Sequence, residues 1–394
     1  MMHTNHYSYI FSLVLVTLFS CRKENQISWD QDKLNEAKEF SEKIGTFAFI
    51  LSTRDTLIAA WGDTITPTSL HSGRKSISSS IYSMYMGKGE GKLDLEKTLK
   101  ELEIDDYPAP LTELQKEAKM LHLIKSISGI NHPAVAETEG MRTDKTRVLG
   151  TDPNVPGTKW VYNNWDYNTM ITIFEKQTGL KEKDVFLEKI AVALDMQDIT
   201  DSTVLYHKDP TLSQHSSIEY NLSARDMLKF GQLCLHKGSW NSEQIIPQDY
   251  FDRITSDYVE TGVPGLRSGY GYMWWVPCDR VARKFGIPEG TFSADGMGSQ
   301  RIIVLPAWET VIVHKANTNL RKGFLMWLGD SGYEESDSTF IKMNLDSLLI
   351  EFVNVIGIRC KEPDYADNPI CQLCRMVSDE DFETLLKMII DAKR

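Results

Sequence analysis

The chain has 394 residues, enough for two or three domains or for one large fold with an inserted subdomain. Its apolar content is that of an ordinary globular protein and supports a sizeable core. The net charge of −12 argues against nucleic acids and anionic membrane surfaces as partners.

The first segment has the pattern of an export signal. Residues 10–19 form an apolar run that is too short to span a bilayer and has the length of a signal-peptide core. Leu18-Phe19-Ser20-Cys21 resembles the lipobox of bacterial lipoproteins, in which the cysteine becomes the lipidated first residue. We therefore predict a signal peptide over residues 1–20 and a lipid anchor on Cys21 that holds the protein in the bacterial cell envelope, on the periplasmic or outer-membrane face. Residues 1–9 contain no Lys or Arg, so an ordinary secretory signal is the alternative.

A helix and a hairpin follow the signal. Residues 30–44 are rich in Lys and Glu and predict a helix. Two apolar runs at residues 47–52 and 56–61, separated by three polar residues, predict a β-hairpin. From residue 72 to about residue 250, most periodic segments are typical of helices.

A serine and a lysine three residues apart open the next helix. Ser72 and Lys75 lie on one helix face, so the lysine amine can reach the serine hydroxyl. A serine hydroxyl becomes a good nucleophile only when a neighbouring base takes its proton. An amine does this at neutral pH only if burial or nearby positive charge lowers its pKa. The alternative is that Ser72 is a helix N-cap and Lys75 a solvated residue of the first turn.

A second element lies after the turn at Pro156-Gly157-Thr158. In an extended loop Tyr162 and Asn164 point to the same side. A phenol beside a lysine can share its proton and act as general base or acid, and an amide can hold a substrate carbonyl. Packing of Tyr162 among the neighbouring aromatic residues is the alternative.

Strand patterns return late in the chain, at residues 270–276, 301–305 and 310–314, and a helix over about residues 340–355 closes the domain. Directly before the second of these strands, residues 292–300 contain several small residues, which indicates either close approach of the backbone to a ligand or a plain glycine-rich turn. The order of elements predicts an α+β fold, in which both ends of the chain build one antiparallel sheet flanked by helices. An all-α subdomain at about residues 90–265 is inserted.

The remaining residues predict a linker at 21–29, one domain over 30–357 and a tail at 358–394. Five cysteines follow Cys21, namely Cys234, Cys278, Cys360, Cys371 and Cys374. Cys360 could pair with Cys371 or Cys374, which sequence cannot decide. Cys371-x-x-Cys374 could bind a metal, but without a second ligand pair a structural disulfide is favoured. The histidines show no spacing typical of a metal site, and we predict no metal and no cofactor.

Three motifs in this order carry a family resemblance: Ser72-x-x-Lys75, Tyr162-x-Asn164 and Ala294-Asp295-Gly296. They resemble the motifs of serine hydrolases related to class C β-lactamases and penicillin-binding proteins, over roughly residues 40–355. The resemblance implies a β-lactamase/transpeptidase-like fold. It implies that Ser72 is acylated, that Lys75 accepts its proton and that Tyr162 assists. It also implies that Asn164 binds the substrate carbonyl and that the backbone N–H groups of Ser72 and Met297 form an oxyanion hole.

One position departs from the family pattern. β-Lactamases and carboxypeptidases carry Lys or His where this chain has Ala294, and that cation pairs with the substrate carboxylate. Its absence argues against β-lactamase and DD-carboxypeptidase activity. Esterases and 6-aminohexanoate-dimer hydrolases of the superfamily also lack a cation there. Asp295 could attract an amine-bearing substrate or simply face solvent.

We therefore predict a lipid-anchored serine hydrolase that cleaves a small ester or amide through a Ser72 acyl-enzyme. The alternative, motivated by Ala294 and by the bulky Arg74 between nucleophile and lysine, is a non-catalytic envelope lipoprotein. It would bind peptidoglycan or another ligand in the same cleft. The sequence leaves the oligomeric state open.

Overall fold

A sheet built from both ends of the chain organises the molecule. The computed structural model describes residues 27–137, 154–318 and 376–394. In these ranges the helices are α1 (Gln31–Ile44), α2 (Arg74–Ser83), α3 (Glu113–Lys116), α4 (Met120–Ile124), α5 (Asn164–Thr178), α6 (Glu182–Val185), α7 (Ala224–Leu235), α8 (Gln248–Ser256), α9 (Arg280–Phe285) and α10 (Asp379–Ala392). The strands are β1 (Thr46–Thr53), β2 (Thr56–Gly62), β3 (Thr68–Ser69), β4 (Val204–Asp209), β5 (Ser213–Leu222), β6 (Ser239–Trp240), β7 (Glu243–Gln244), β8 (Val259–Glu260), β9 (Gly269–Gly271), β10 (Trp274–Val276), β11 (Phe292–Gly296), β12 (Gln300–Leu305) and β13 (Thr310–Ala316).

Eight of these strands form the main sheet, in the order β2-β1-β13-β12-β11-β10-β9-β8. Every neighbouring pair is antiparallel, and β1 lies between β2 and β13, the last described strand of the chain. This confirms the predicted sheet from both chain ends. The predicted first helix and the hairpin after it are confirmed as α1, β1 and β2.

The two faces of the sheet pack against different helices. Ile302 and Val304 of β12 contribute to one core together with Phe230 of α7, whereas Ile303 and Leu305 contribute to a second core. This alternation follows from the period of two in a strand. Helix α7 comes very close to the sheet, because a Cβ on Gly231 would lie 2.6 Å from a methyl carbon of Val311.

Helices α1 and α10 cover the second face side by side. Leu34 and Ala37 of α1 and Phe382 and Leu386 of α10 are buried in that core. Backbone hydrogen bonds hold the segments together, such as the 2.8 Å bond from the Asp30 N–H to the Ala392 carbonyl. The sequence had assigned residues 358–394 to a tail and did not predict α10, although its apolar residues recur at helical spacing.

The inserted part is mainly helical but also contains the hairpin of β4 and β5, which the sequence did not predict. In the first half of β5 the buried positions carry polar side chains, namely Ser213, His215 and Ser217. Buried apolar residues alternate only in its second half, at Ile218, Tyr220 and Leu222. The hydrophobic period that would reveal a strand is therefore confined to five residues.

Two late elements differ from their predictions. The strand predicted over residues 270–276 is a hairpin, in which Tyr272 and Met273 adopt left-handed φ values of 51° and 65° between β9 and β10. Hairpin turns of this kind usually carry Asn or Gly, so no turn signal was present. The predicted turn at Ala294-Asp295-Gly296 belongs to strand β11. The chain turns one step later, at Met297–Ser299.

Several predictions lie outside the described residues. These are the signal and Cys21, the helix at about residues 340–355, and the pairing of Cys360, Cys371 and Cys374. Cys234 and Cys278 are free thiols. In the described ranges no helix is long and apolar enough to span a membrane, and no group of His, Cys, Asp or Glu side chains could hold a metal ion.

Candidate active site

Ser72 lies in a tight helical turn at the entrance of α2. Residues His71–Gly73 form a single 3-10 turn that runs directly into α2. The end of β11 packs against this turn, since a Cβ on Gly296 would lie 2.1 Å from the Leu70 carbonyl oxygen. Only glycine fits there, and the third motif is thereby held beside Ser72.

Lys75 connects the first and second motifs. Its Nζ lies within hydrogen-bond distance of Ser72 Oγ at 3.1 Å, of Tyr162 Oη at 2.9 Å and of Asn164 Oδ1 at 2.7 Å. The side chain is only 2% exposed. The structure therefore brings together four residues that lie far apart in sequence, and it contradicts the alternative of a solvated Lys75.

Burial controls the protonation of this cluster. Desolvation lowers the pKa of Lys75 well below its ordinary value, and the charge of Arg74 lowers it further, while Glu137 opposes them. Burial also raises the pKa of Tyr162, against the effects of a Ser72 hydrogen bond and of Arg74. Both shifts favour the neutral forms. A neutral amine beside a serine hydroxyl can accept its proton.

Asn164 holds Lys75 rather than facing the cleft. Asn163 caps α5 and Asn164 is its first residue, so the extended loop of the prediction ends at Tyr162. The Asn164 amide accepts from Lys75 and donates to the Ala136 carbonyl at 2.6 Å, with the side chain buried. The structure thus places this amide as a support for the lysine.

The third motif contributes little free charge. Ala294 is buried in β11, opposite Ile302 of β12. Asp295 is buried too, and it accepts a 2.7 Å hydrogen bond from Arg267 Nε and a second contact from Arg301. The expectation that Asp295 faces bulk solvent is therefore wrong. Two guanidinium groups already hold the carboxylate that was expected to attract an amine-bearing substrate.

A cleft of about 850 Å³ opens in front of Ser72. Its walls include Gly296, Met297 and Gly298 of the third motif and Met376 to Asp379 before and at the start of α10. Clefts of this size hold small-molecule ligands. Of the predicted site residues, Lys75 and Asn164 lie behind the wall and Ala294 lies in the sheet.

Aromatic rings form one side of the cleft. Trp275 lies 5.5 Å from Tyr162 and 5.9 Å from Trp160, measured between ring centroids. The Arg267 guanidinium lies 5.8 Å from the Trp275 ring centroid and donates to Asp379 at 2.5 Å. Sequence reasoning missed these residues. An aromatic-rich stretch beside Tyr162 was visible, but no motif marks Arg267 or Asp379.

Comparison with protein families gives one match. Residues 85–325 match the family described as Beta-lactamase, which is well over half of the chain. The matched range includes Tyr162, Asn164 and the third motif and begins after Lys75. A search of curated protein sequences finds no match.

Solved structures resemble the fold over most of the chain. A protein from Bacillus anthracis described as a 6-aminohexanoate-dimer hydrolase has 21% identity and a TM-score of 0.52, over 71% of this chain and 75% of that one. A β-lactamase/D-alanine carboxypeptidase from Pseudomonas syringae has 13% identity and a TM-score of 0.51, over 72% and 93%. EstCE1, a hydrolase with promiscuous acyltransferase activity, has 15% identity and a TM-score of 0.50, over 73% and 93%. At these identities the likeness concerns the fold.

Proposed function

Since this chain belongs to the beta-lactamase family, whose members are serine hydrolases, we propose that it hydrolyses an ester or small amide through an acyl-enzyme on Ser72. The observation that carries the proposal is the set of hydrogen bonds from Lys75 to Ser72, Tyr162 and Asn164. Nucleophile, base and phenol are within hydrogen-bond reach of one another, as covalent catalysis requires.

The reaction proceeds in two halves. Ser72 Oγ bonds to the substrate carbonyl carbon as its proton passes to the neutral Lys75 amine, and the negative charge develops on the carbonyl oxygen. Backbone N–H groups of Ser72 and Met297 stabilise this oxyanion, and loss of one such donor costs on the order of 3–4 kcal/mol. The C–O or C–N bond then breaks. The leaving group takes the proton from Lys75 through the Tyr162 phenol, which lies 2.9 Å from Nζ.

Water completes the cycle by the same path in reverse. Tyr162 and Lys75 take a proton from the water as its oxygen bonds to the acyl carbon. The acyl–Oγ bond breaks, Ser72 recovers its proton and the carboxylic acid leaves.

The third motif favours an acyl group without a carboxylate. Ala294 leaves no cation in the third motif, and Asp295 is held by Arg267 and Arg301. The aromatic side formed by Trp160, Tyr162 and Trp275 suits an apolar substituent. We therefore propose that esters and small amides are preferred to β-lactams.

The proposal also places the enzyme on a membrane through lipidated Cys21. Two or more acyl chains hold a protein on a bilayer stably, whereas one chain gives marginal binding. Radiolabelled palmitate fed to expressing bacteria should label the wild type and leave Cys21→Ser unlabelled. Equal labelling of both would contradict the anchor without affecting the catalytic proposal.

A fluorophosphonate probe tests the catalytic proposal directly. The probe phosphonylates an activated serine, so it should label the wild type and leave Ser72→Ala unlabelled. Ser217→Ala, a buried serine behind α2, is the matched control and should still be labelled. A panel of p-nitrophenyl esters, aminoacyl amides and nitrocefin then identifies the substrate. An unlabelled wild type that turns over no activated ester would favour the non-catalytic binding protein.

A further inference from the structure

A buried guanidinium lies next to the candidate base. Arg74 is 6% exposed, and its guanidinium carbon lies 5.0 Å from the Tyr167 ring centroid. Its Nη2 donates to Ser217 Oγ at 3.3 Å, and its Nε has no hydrogen-bond partner. In the part of the chain that the structure describes, Arg74 forms no ion pair. A buried cation without an acid partner is costly, and it acts strongly on its neighbours.

Lys75 is the neighbour that faces the same ring. Its Nζ lies 5.4 Å from the Tyr167 ring centroid and 4.6 Å from that of Tyr162. Two adjacent residues of α2 therefore bring two cationic side chains into one buried, aromatic pocket. Repulsion between them makes a proton on Lys75 unfavourable, because the arginine cannot give up its own proton.

The other charged and titratable groups around Lys75 do not cancel Arg74. They are Tyr162 and Tyr167 from the segment that opens α5, Glu137 from the preceding loop, and Glu182 from α6. Glu137 acts in the opposite direction to Arg74 but is the weaker influence. Glu182 is hydrogen-bonded by Ser78, Tyr82 and Tyr220, and burial raises its pKa to about 7. Arg267, across the cleft, is paired with Asp295 and Asp379.

We propose that Arg74 is a positioning residue that keeps Lys75 in its neutral, proton-accepting form, through its unpaired charge and its place on the Tyr167 ring. The inference rests on the proposed function. It gives a reason for a bulky charged residue between nucleophile and base, which the sequence had offered as a sign of a non-catalytic site. The direction of the Lys75 and Tyr162 pKa shifts that Arg74 causes is consistent with this role.

The pH dependence of Ser72 phosphonylation tests the inference. The labelling rate rises with pH as Lys75 loses its proton, so the midpoint of that rise reports the base. Arg74→Gln and Arg74→Met remove the charge and should move the midpoint upward by about one pH unit or more. Arg74→Lys places an amine there that burial can also deprotonate, so it should move the midpoint by no more than the neutral variants do. Ser217→Ala removes the hydrogen-bond partner of Arg74 but not the charge, and should leave the midpoint unchanged.

Two outcomes are distinguishable. A wild type that is labelled, with charge-removing variants that are slower at every pH but keep the midpoint, would overturn the inference and make Arg74 merely structural. A wild type that is not labelled on Ser72 at any pH would overturn the proposed function, and the inference with it. Using two neutral variants avoids dependence on the folding of either one.

Discussion

The two sides of the cleft differ in whether their buried charged groups have partners of opposite charge. Behind Ser72, the Arg74 guanidinium is buried beside the neutral Lys75, and no carboxylate pairs with it in the described ranges. On the opposite wall, Arg267 and Arg301 are matched by Asp295 and Asp379. Unmatched charge shifts pKa values and creates reactivity, whereas matched charge holds backbone segments in place. Within one cleft, the side with the unpaired arginine serves proton transfer, and the side with paired charges stabilises the structure.

The surrounding fold holds the unpaired Arg74 in its buried position. Every residue of α2 is buried, so the helix that carries Arg74 and Lys75 is packed on all sides. Strained or poorly solvated groups persist at functional sites when the neighbouring structure over-determines their positions. The matched wall needs no such support, because its four charged groups neutralise one another.

The largest effect is expected from removing the base. Lys75→Met keeps the volume of the side chain and removes the amine, so Ser72 loses its proton acceptor. Phosphonylation by the fluorophosphonate should fall by about 10²–10⁴-fold. Thermal unfolding should show a folded variant of lower stability, because the buried Asn164 amide oxygen loses its hydrogen-bond donor. A variant that is labelled at the wild-type rate would place the base elsewhere.

The next largest effect is a loss of stability on the side of the cleft where Arg267 and Arg301 pair with Asp295 and Asp379. Asp295→Asn leaves the Arg301 guanidinium, which is 3% exposed, without its closest carboxylate. Breaking a buried ion pair in this way costs about 3–5 kcal/mol, which urea unfolding would detect. Asp295→Asn combined with Arg301→Met should recover part of the loss. A neutral effect of Asp295→Asn alone would mean that this wall does not depend on its charge pairing.

A third unpaired cation gives a pH effect. Lys315 Nζ donates to the carbonyls of Thr68 and Leu222, and burial lowers its pKa to about 7. Above that pH the folded chain has lost this proton, while the unfolded chain keeps it up to its ordinary pKa. Stability should therefore rise with pH in this window, by at most about 1.4 kcal/mol per pH unit from this group.

Urea unfolding near pH 7, 8 and 9 checks this dependence. Lys315→Met should reduce the slope of stability against pH, because the difference in bound protons between the two states is removed. Lys92→Met, at a solvent-facing lysine, is the control and should retain the wild-type slope. Parallel slopes for wild type and Lys315→Met would contradict the shift.

The smallest effect is expected at the rim. Asp379 is 56% exposed, so solvent screens its pairs with Arg267 and Arg301. Asp379→Asn should change stability by no more than about 1 kcal/mol, measured by urea unfolding beside Asp295→Asn. An equal loss in both variants would remove the distinction between the buried and exposed halves of this network.

Sequence patterns predicted the local secondary structure and indicated which motif residues share a helix face. The hairpin of β1 and β2 was readable because apolar runs flank a polar turn, and Ser72 with Lys75 because helical spacing fixes which side chains meet. The hairpin of β4 and β5 was missed, since buried positions in the first half of β5 are polar: Ser217 accepts from Arg74 and Ser213 donates to Asp106.

Long-range pairing explains what else was missed. Arg267 meets Asp295 across 28 positions and Asp379 across 112, and no local pattern encodes such partners. The free carboxylate expected at Asp295 was for this reason a paired one. Likewise, the amide of Asn164 was expected to bind a substrate carbonyl, but its nitrogen donates to the Ala136 carbonyl and its oxygen contacts Lys75. Burial decides these roles, and burial is a property of the whole fold.

The segment at the start of α10 has a consequence for how specificity can change. Met376 to Asp379 form part of the cleft, while nucleophile, base and phenol belong to other segments. The segment also lies outside the range that matches the family. Exchanging it for a longer or shorter one would reshape the substrate entrance and leave the proton-transfer groups intact. The rim of the cleft can therefore change independently of the catalytic groups. A replacement segment with an acid at position 379 would keep the contacts with Arg267 and Arg301.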